Sequence, residues 1–208
     1  MTEEEARAWL SENFDVSRET WDRLELFLSL LREEMSRQNL ISKSSANHIW
    51  ARHVVDSAQL LHLVPKQSKL KTWLDLGTGA GFPGIIAALL GDFKVHLVES
   101  RAKRIAFLQE IINQLNLQEN AIVIGSRLEQ IDGFPVEIIS ARAFAPLDKL
   151  LKLSHRFSTE KTLWLLPKGK NALRELQALP QKHRKLFHVE QSLTDPEAGI
   201  LVGSGQII

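Results

Sequence analysis

A glycine-rich stretch at residues 72–89, TWLDLGTGAGFPGIIAAL, constrains the fold of this chain more than any other segment. An apolar run of strand type precedes the glycines, and an apolar helical run follows them. Strand-type and amphipathic runs then alternate along the rest of the chain. Strand followed by helix, repeated, is typical of a doubly wound α/β fold with a mostly parallel sheet and helices on both faces.

The residues before this stretch have a helical pattern instead. Apolar side chains at spacings of three and four predict one buried helix face, made of Trp21, Leu24, Leu28, Leu31 and Met35. A second helix is predicted over about 46–62, ending before Pro65. We therefore predict a single domain, in which an N-terminal helical cap (1–65) covers an α/β core (70–208).

Composition excludes several classes of site. The 208 residues include no Cys and no Tyr, so disulfides, thiolate zinc sites and cysteine nucleophiles are ruled out. The seven His show no zinc-ligand spacing such as HExxH, and no metal is expected. The acidic start MTEEE and the lack of a long apolar run predict a cytoplasmic protein that does not enter the membrane.

Charge is unevenly distributed although the net charge is only +1. Residues 151–190 hold nine Lys or Arg against three Glu, and residues 1–15 hold five carboxylates against one Arg. A local basic surface fits a nucleic-acid partner without demanding one, because a solvated face has the same composition.

The glycines fit two ligand classes. Gly79, Gly81 and Gly84 match the GxGxxG pattern of dinucleotide sites, whereas Asp75, Gly77, Gly79 and Gly81 match the DxGxGxG pattern of S-adenosylmethionine sites. Glu99 closes the second strand, where its carboxylate can accept from the ribose hydroxyls of either cofactor. Spacing alone leaves both classes open.

Residue types elsewhere favour the sulfonium cofactor. A short-chain dehydrogenase needs a catalytic Tyr and a zinc dehydrogenase normally needs Cys ligands, and this chain has neither. At the end of its strand, the Asp75 carboxylate can orient the loop and an ammonium group, but it would repel a pyrophosphate.

Six motifs together resemble the RsmG/GidB family, the bacterial methyltransferases that modify guanine N7 in small-subunit (16S) ribosomal RNA. They are NLIS (39–42), RHVVDS (52–57), DLGTGAGFPG (75–84), SRLEQ (126–130), SARAFAPL (140–147) and LPKGK (166–170). The resemblance implies the Rossmann-like fold of class I S-adenosylmethionine-dependent methyltransferases. It also implies cofactor contacts from Gly77, Phe82, Leu128, Glu129 and Arg142.

Some of these residues have equally good structural roles. Phe82 is as well explained as a core aromatic, and Glu129 as a carboxylate at a helix start. Arg142 could bind the cofactor carboxylate, guanine O6 or a phosphate, and the resemblance favours the cofactor.

Five basic residues are candidates for the RNA surface. They lie in the segment entering the core and after the fifth strand: Lys43, Arg52, His53, Lys168 and Lys170. Such contacts position RNA without specifying its sequence. His53 is explained equally well by helix packing.

The expected chemistry needs little from side chains. Guanine N7 carries a lone pair and no proton, so its methylation requires alignment and no general base, and no catalytic residue is assigned. The expected partner is ribosomal RNA or the small ribosomal subunit, and the expected state is a monomer. Three alternatives stay open: a methyltransferase for a small molecule or a protein, a nicotinamide-binding regulator, and an RNA-binding module with a vestigial cofactor loop.

Overall fold

The computed structural model describes residues 1–65 and 71–208, and seven strands within these ranges form one sheet. The strands, in chain order, are β1 (Lys71–Leu76), β2 (Phe93–Glu99), β3 (Ala121–Gly125), β4 (Ile138–Ala141), β5 (Leu163–Lys168), β6 (Phe187–Gln191) and β7 (Gly199–Ser204). Their order across the sheet is β3-β2-β1-β4-β5-β7-β6. Strands β1 to β5 pair in parallel, and β7 is antiparallel to both β5 and β6. The prediction of a mostly parallel, doubly wound sheet is confirmed.

Helices precede the sheet and fill its crossovers. The α-helices are α1 (Glu3–Asn13), α2 (Arg18–Glu34), α3 (Lys43–Ala46), α4 (Asp56–His62), α5 (Gly84–Leu90), α6 (Ala102–Gln114), α7 (Leu147–Ser154), α8 (Ala172–Gln177) and α9 (Gln181–Arg184). A π-helix covers Trp50–Val55, and 3-10 turns cover Leu128–Gln130 and His155–Phe157. Within the described ranges, no helix combines the length and apolar character that a membrane crossing requires.

The cap helices begin at side-chain caps and bury one face. The Thr2 hydroxyl accepts from the Glu5 amide while Glu5 accepts from the Thr2 amide, which closes a capping box at α1. Ser17 caps α2 in a similar way through the Thr20 amide. The predicted face of α2 is confirmed: its three Leu are buried, and its Trp and Met pack against the same cluster. The predicted boundary between cap and core falls on residues 66–70, which lie outside the described ranges.

The core has one layer on each face of the sheet. On β1, the side chains of Trp73 and Leu74 point to opposite faces and are both fully buried. Trp73 joins the cluster that includes the cap, whereas Leu74 joins the cluster around Trp164 and Phe157. The cap helices therefore lie on the same side of the sheet as α5 and α6, against which α2 and α4 pack.

The order in which the chain adds strands to the sheet reverses between β1 and β4. Chain connections run outward from this point on both sides, which leaves a crevice beyond the carboxyl ends of the two strands. Asp75 on β1 and Ser140 on β4 are register partners at this position. A ligand is expected to bind in this crevice.

Candidate functional site

The glycine-rich loop leaves β1 and enters α5 with three glycines in left-handed backbone conformations. The φ angles of Gly77, Gly79 and Gly81 are +64°, +61° and +98°. Side chains are disfavoured in this region. At Gly79 an added Cβ would meet only ordinary van der Waals contacts, with Arg104 Nη1 nearest at 3.5 Å, so the left-handed backbone, and not crowding, is what favours glycine at this position.

Asp75 lies beneath the loop and is completely buried. Its Oδ2 accepts from the Gly84 amide at 3.0 Å, and its Oδ1 accepts from the Ser140 hydroxyl at 2.7 Å. The Trp73 indole N–H donates to the same hydroxyl at 2.7 Å. Burial raises the pKa of the Asp75 carboxyl, although its hydrogen bond from Ser140 opposes the shift. Asp75 thus orients the loop, one of the two roles that the sequence allowed.

A cofactor-sized groove of about 380 Å³ lies beyond the carboxyl ends of β1 to β4. It contains four of the nine predicted cofactor residues, namely Gly77, Glu99, Leu128 and Glu129. The rest of its wall was not singled out from the sequence: Val98, Ser100, Arg101, Arg104, Ser126, Arg127, Ala143, Phe144, Ala145, Lys149 and Leu153. Phe144 belongs to the SARAFAPL motif, which is the signal for it in the sequence.

Glu99 is 6% exposed, and its two carboxylate oxygens are not equivalent. Oε1 accepts from the backbone amides of Ser100 at 2.7 Å and Arg101 at 2.9 Å. Oε2 lies 3.6 Å from Arg104 Nη1. The first oxygen fixes the side chain, and the second is the better placed to accept from a ribose hydroxyl in the groove.

Phe144 and Leu128 give the groove an apolar wall. A Cβ added to Gly77 would lie 2.5 Å from Phe144 Cδ2, so the aromatic ring covers the glycine directly. Leu128 is buried, and its carbonyl accepts from Arg156. Glu129 is exposed at the rim. An adenine ring fits such a surface better than a charged group does.

The Phe82 side chain packs between the loop and the cap. It is 2% exposed, and its ring centroid lies 5.2 Å from that of Phe27 and 5.0 Å from that of His53. Gly81 is also closely packed, because an added Cβ would lie 2.7 Å from Ile85 Cγ1. The core interpretation accounts for the Phe82 ring, and a contact between Phe82 and the cofactor stays a prediction.

Arg142 turns away from the groove into a second cavity of about 320 Å³, which we call the cap cavity. The cap cavity is lined by Leu40, Ile41, Ser45, Arg52, His53, Asp56, Arg142, Ala143, Pro167, Lys168, Gly169, Ser192, Thr194, Asp195, Ala198, Gly199 and Ile200. It shares Ala143 with the cofactor groove. Ala143 has a φ of +52°, a conformation that costs a non-glycine residue about 1–2 kcal/mol.

Both terminal nitrogens of the Arg142 guanidinium are already engaged. Nη1 donates to the Arg52 carbonyl at 3.2 Å and lies 3.5 Å from Asp56 Oδ2. Nη2 lies 2.8 Å from His53 Nδ1, and the guanidinium also covers the Phe82 ring at 5.3 Å. Burial lowers the pKa of Arg142, and the carboxylates of Asp56 and Asp75 oppose this shift.

His53 is neutral in this environment. Burial, followed by the positive charges of Arg142 and Arg52, lowers its pKa to about 3. Its Nδ1 accepts from Arg142, which places the ring proton on Nε2. His53 therefore holds an arginine, and its ring does not act as a cation.

The predicted RNA residues only partly converge. Arg52, His53 and Lys168 line the cap cavity, whereas Lys43 and Lys170 are exposed outside it. The Lys168 side chain is 10% exposed, and its ammonium donates to Glu175 Oε2 at 2.9 Å and to the Ala145 carbonyl at 3.1 Å.

Arg52 and Lys170 each form an ion pair, but both side chains are accessible to solvent. Arg52 pairs with Asp195 at 2.8 Å, and Lys170 pairs with Glu197. A phosphate can replace such exposed partners at little cost, since surface ion pairs are weak. At Lys168 a phosphate would have to displace Glu175 from a partly buried ion pair. The RNA contacts of all five residues stay predictions.

Comparison with known proteins connects this geometry to a family. The family model of rRNA small subunit methyltransferase G (GidB) matches residues 20–199. The chain belongs to this family. Proteins called ribosomal RNA small subunit methyltransferase G are similar to it over nearly their whole length. The one from Erythrobacter litoralis is 52% identical over 99% of this chain and 97% of its own length. The one from Novosphingobium aromaticivorans is 54% identical over 98% of this chain and 88% of its own.

Solved structures agree with the assigned fold. A mutant of MtNAS in complex with S-adenosylmethionine superposes with a TM-score of 0.57 and 17% identity, covering 97% of this chain and 83% of its own. A precorrin-6y methyltransferase from Geobacter metallireducens superposes with a TM-score of 0.52 and 12% identity, covering 82% of this chain and 92% of its own. The predicted family and the class I methyltransferase fold are both confirmed.

Proposed function

We propose that this chain transfers a methyl group from S-adenosylmethionine to N7 of a guanine in small-subunit (16S) ribosomal RNA. The observation that carries the proposal is the meeting of two cavities at Ala143. One is a cofactor-sized groove with a carboxylate and an apolar wall. The other is lined by apolar residues and by charged pairs, Arg52 with Asp195 and Arg142 with Asp56. Membership of the rRNA small subunit methyltransferase G family supports the same activity.

The residues present fit the cofactor. The groove is lined by the Gly77 turn, by the Glu99 carboxylate, and by the apolar side chains of Leu128 and Phe144. We assign the loop from Gly77 to Gly81 to the amino acid end, Glu99 to the ribose, and residues 128–129 to the adenine. S-adenosylmethionine supplies an electrophilic methyl group on a sulfonium sulfur.

The chain's contribution to the reaction is alignment. Guanine N7 attacks through a lone pair and loses no proton, so no side chain has to act as a base. Neutral His53 and the engaged Arg142 fit this requirement, because neither has to exchange a proton during the reaction. Excluding water from the junction at Ala143 would favour attack by N7 over hydrolysis.

The RNA surface is proposed to run along the mouth of the cap cavity. Arg52 is exposed at the cavity, Lys170 is exposed outside it, and Lys43 lies at the start of α3. Their charges are suited to phosphate contacts, which would position the substrate without specifying its sequence. We expect the chain to act as a monomer in the cytoplasm, on ribosomal RNA or on the small ribosomal subunit.

The direct test is to map N7-methylguanine in small-subunit RNA from cells with and without this protein. One modified position should disappear in the deletion strain and return when the gene is restored. Purified protein and radiolabelled cofactor should then label naked RNA or isolated small subunits from the deletion strain. Label transferred only to a small molecule or a protein would instead support another methyltransferase activity. Cofactor binding without any transfer would refute the enzymatic assignment.

A further inference from the structure

Asp56 occupies an unusual position in the cap cavity, because one of its carboxylate oxygens is fixed and the other has capacity to spare. Oδ1 accepts from the Thr194 hydroxyl at 2.8 Å and from Gln59 Nε2 at 3.0 Å. Oδ2 lies 3.5 Å from Arg142 Nη1, a long contact. The side chain is 19% exposed and lines the cavity. Because Oδ2 is held only by this long contact with Arg142, it keeps a lone pair that can accept from a ligand that donates a hydrogen bond.

The surrounding structure holds this carboxylate in place from two directions. Helix α4 supplies Asp56, and the segment before β7 closes over it. The Leu193 amide donates to Gln59 Oε1 at 2.8 Å, and Arg52 pairs with Asp195 at 2.8 Å. These contacts join the cap to the C-terminal part of the sheet, so the cavity is formed before any ligand enters.

We propose that the cap cavity receives the target guanine and that Asp56 Oδ2 accepts a hydrogen bond from its exocyclic N2 amino group. The inference rests on the proposed function and adds the residue that selects the base. The N2 amino group lies on the opposite side of the purine from N7. A guanine held at N2 therefore leaves its N7 lone pair free to point toward Ala143, where the cofactor groove begins.

Arg142 supports this orientation because its guanidinium is directed to protein groups and not to the base. Arginine usually recognises guanine through a bidentate contact with O6 and N7, and that contact would block the reacting lone pair. Here Nη1 is directed to the Arg52 carbonyl and Asp56, and Nη2 is directed to His53. The guanidinium is thus kept from N7. Adenine has no amino group at C2, so it would leave the Asp56 acceptor unsatisfied.

The test compares two substrates that differ only at this amino group. Small subunits are reconstituted with guanosine or inosine at the mapped position, since inosine keeps N7 and lacks the N2 amine. The wild-type chain should methylate the guanosine substrate with a kcat/KM roughly 10- to 100-fold higher, the range expected for loss of one charged hydrogen bond. In Asp56→Asn this ratio should fall to about 1. Because both substrates are assayed with the same enzyme preparation, the ratio of the two kcat/KM values does not depend on the fraction of folded protein.

Asp195→Asn is the matched control, because Asp195 is a second carboxylate in the same cavity but is paired with Arg52. It should keep the wild-type ratio. The proposal is overturned if Asp56→Asn keeps the ratio, if Asp195→Asn abolishes it, or if the wild-type chain treats the two substrates alike. In the last case methylation itself would still stand. Failure to methylate either substrate would instead refute the proposed function.

Discussion

Replacing Ser140 with Ala tests how the loop is held in place. The Ser140 hydroxyl links the Trp73 indole to Asp75 with two hydrogen bonds of 2.7 Å, and all three residues are completely buried. Alanine would leave an indole N–H and a carboxylate oxygen without this partner. Each unsatisfied buried group costs about 1–3 kcal/mol, and a charged group costs more. We expect Ser140→Ala to lower the free energy of unfolding by about 2–4 kcal/mol.

Urea denaturation followed by circular dichroism measures this loss as a lower midpoint at an unchanged slope. Ser154→Ala is the control, because Ser154 is equally buried and donates only to the Leu150 carbonyl of its own helix, at 2.6 Å. Its loss leaves no donor without a partner, and it should cost less than about 1 kcal/mol. Equal costs for the two variants would refute the role given to the Ser140 hydroxyl.

The free energy of unfolding of Ser140→Ala should also depend on pH in a defined direction. Burial raises the pKa of Asp75 in the folded chain, so Asp75 favours folding most when it is protonated, and this contribution is lost as the pH rises above 3.8. The Ser140 hydrogen bond lowers that pKa, and its removal would raise it further. The stability difference between wild type and Ser140→Ala should therefore grow from acidic to neutral pH. A difference that shrinks over this range would contradict the assignment.

Three further predictions concern ligand contacts. Glu99→Ala should weaken binding of S-adenosylmethionine by about 1–3 kcal/mol in calorimetry, and unchanged affinity would remove Glu99 from the ribose site. Gly79→Val should abolish cofactor binding in a chain with unchanged circular dichroism, because Gly79 has a φ of +61° and a branched side chain would force the loop out of this conformation. Lys43→Ala and Lys170→Ala should each weaken RNA binding and lower the slope of log affinity against log salt by about 1, with cofactor affinity unchanged. A slope equal to that of wild type would exclude a phosphate contact.

The cofactor groove could be predicted from the sequence because parallel strands bring their carboxyl ends to one edge. Glu99 and Leu128 are far apart in the chain, but each follows a strand, and the topology alone places them together. The conformation of the loop could also be predicted, because three left-handed residues in one loop favour glycine at each position.

The cap cavity was less predictable because it depends on tertiary contacts. The sequence does not tell whether the Phe82 ring faces the groove or the cap, and the position of the cap decides it. Lys168 was assigned to RNA from its charge, yet a glutamate seven residues later is its partner in the fold. Asp56 lies in the RHVVDS motif, but its role depends on a segment 138 residues away.

The contacts that close the cap cavity have a consequence for folding. The hydrogen bond from Thr194 to Asp56 spans 138 positions, and the Arg52–Asp195 pair spans 143. Contacts this distant in sequence require closure of a long loop, whereas the residues that line the cofactor groove lie between 77 and 153. The cap cavity is therefore complete only when the N-terminal and C-terminal parts of the chain are both in place.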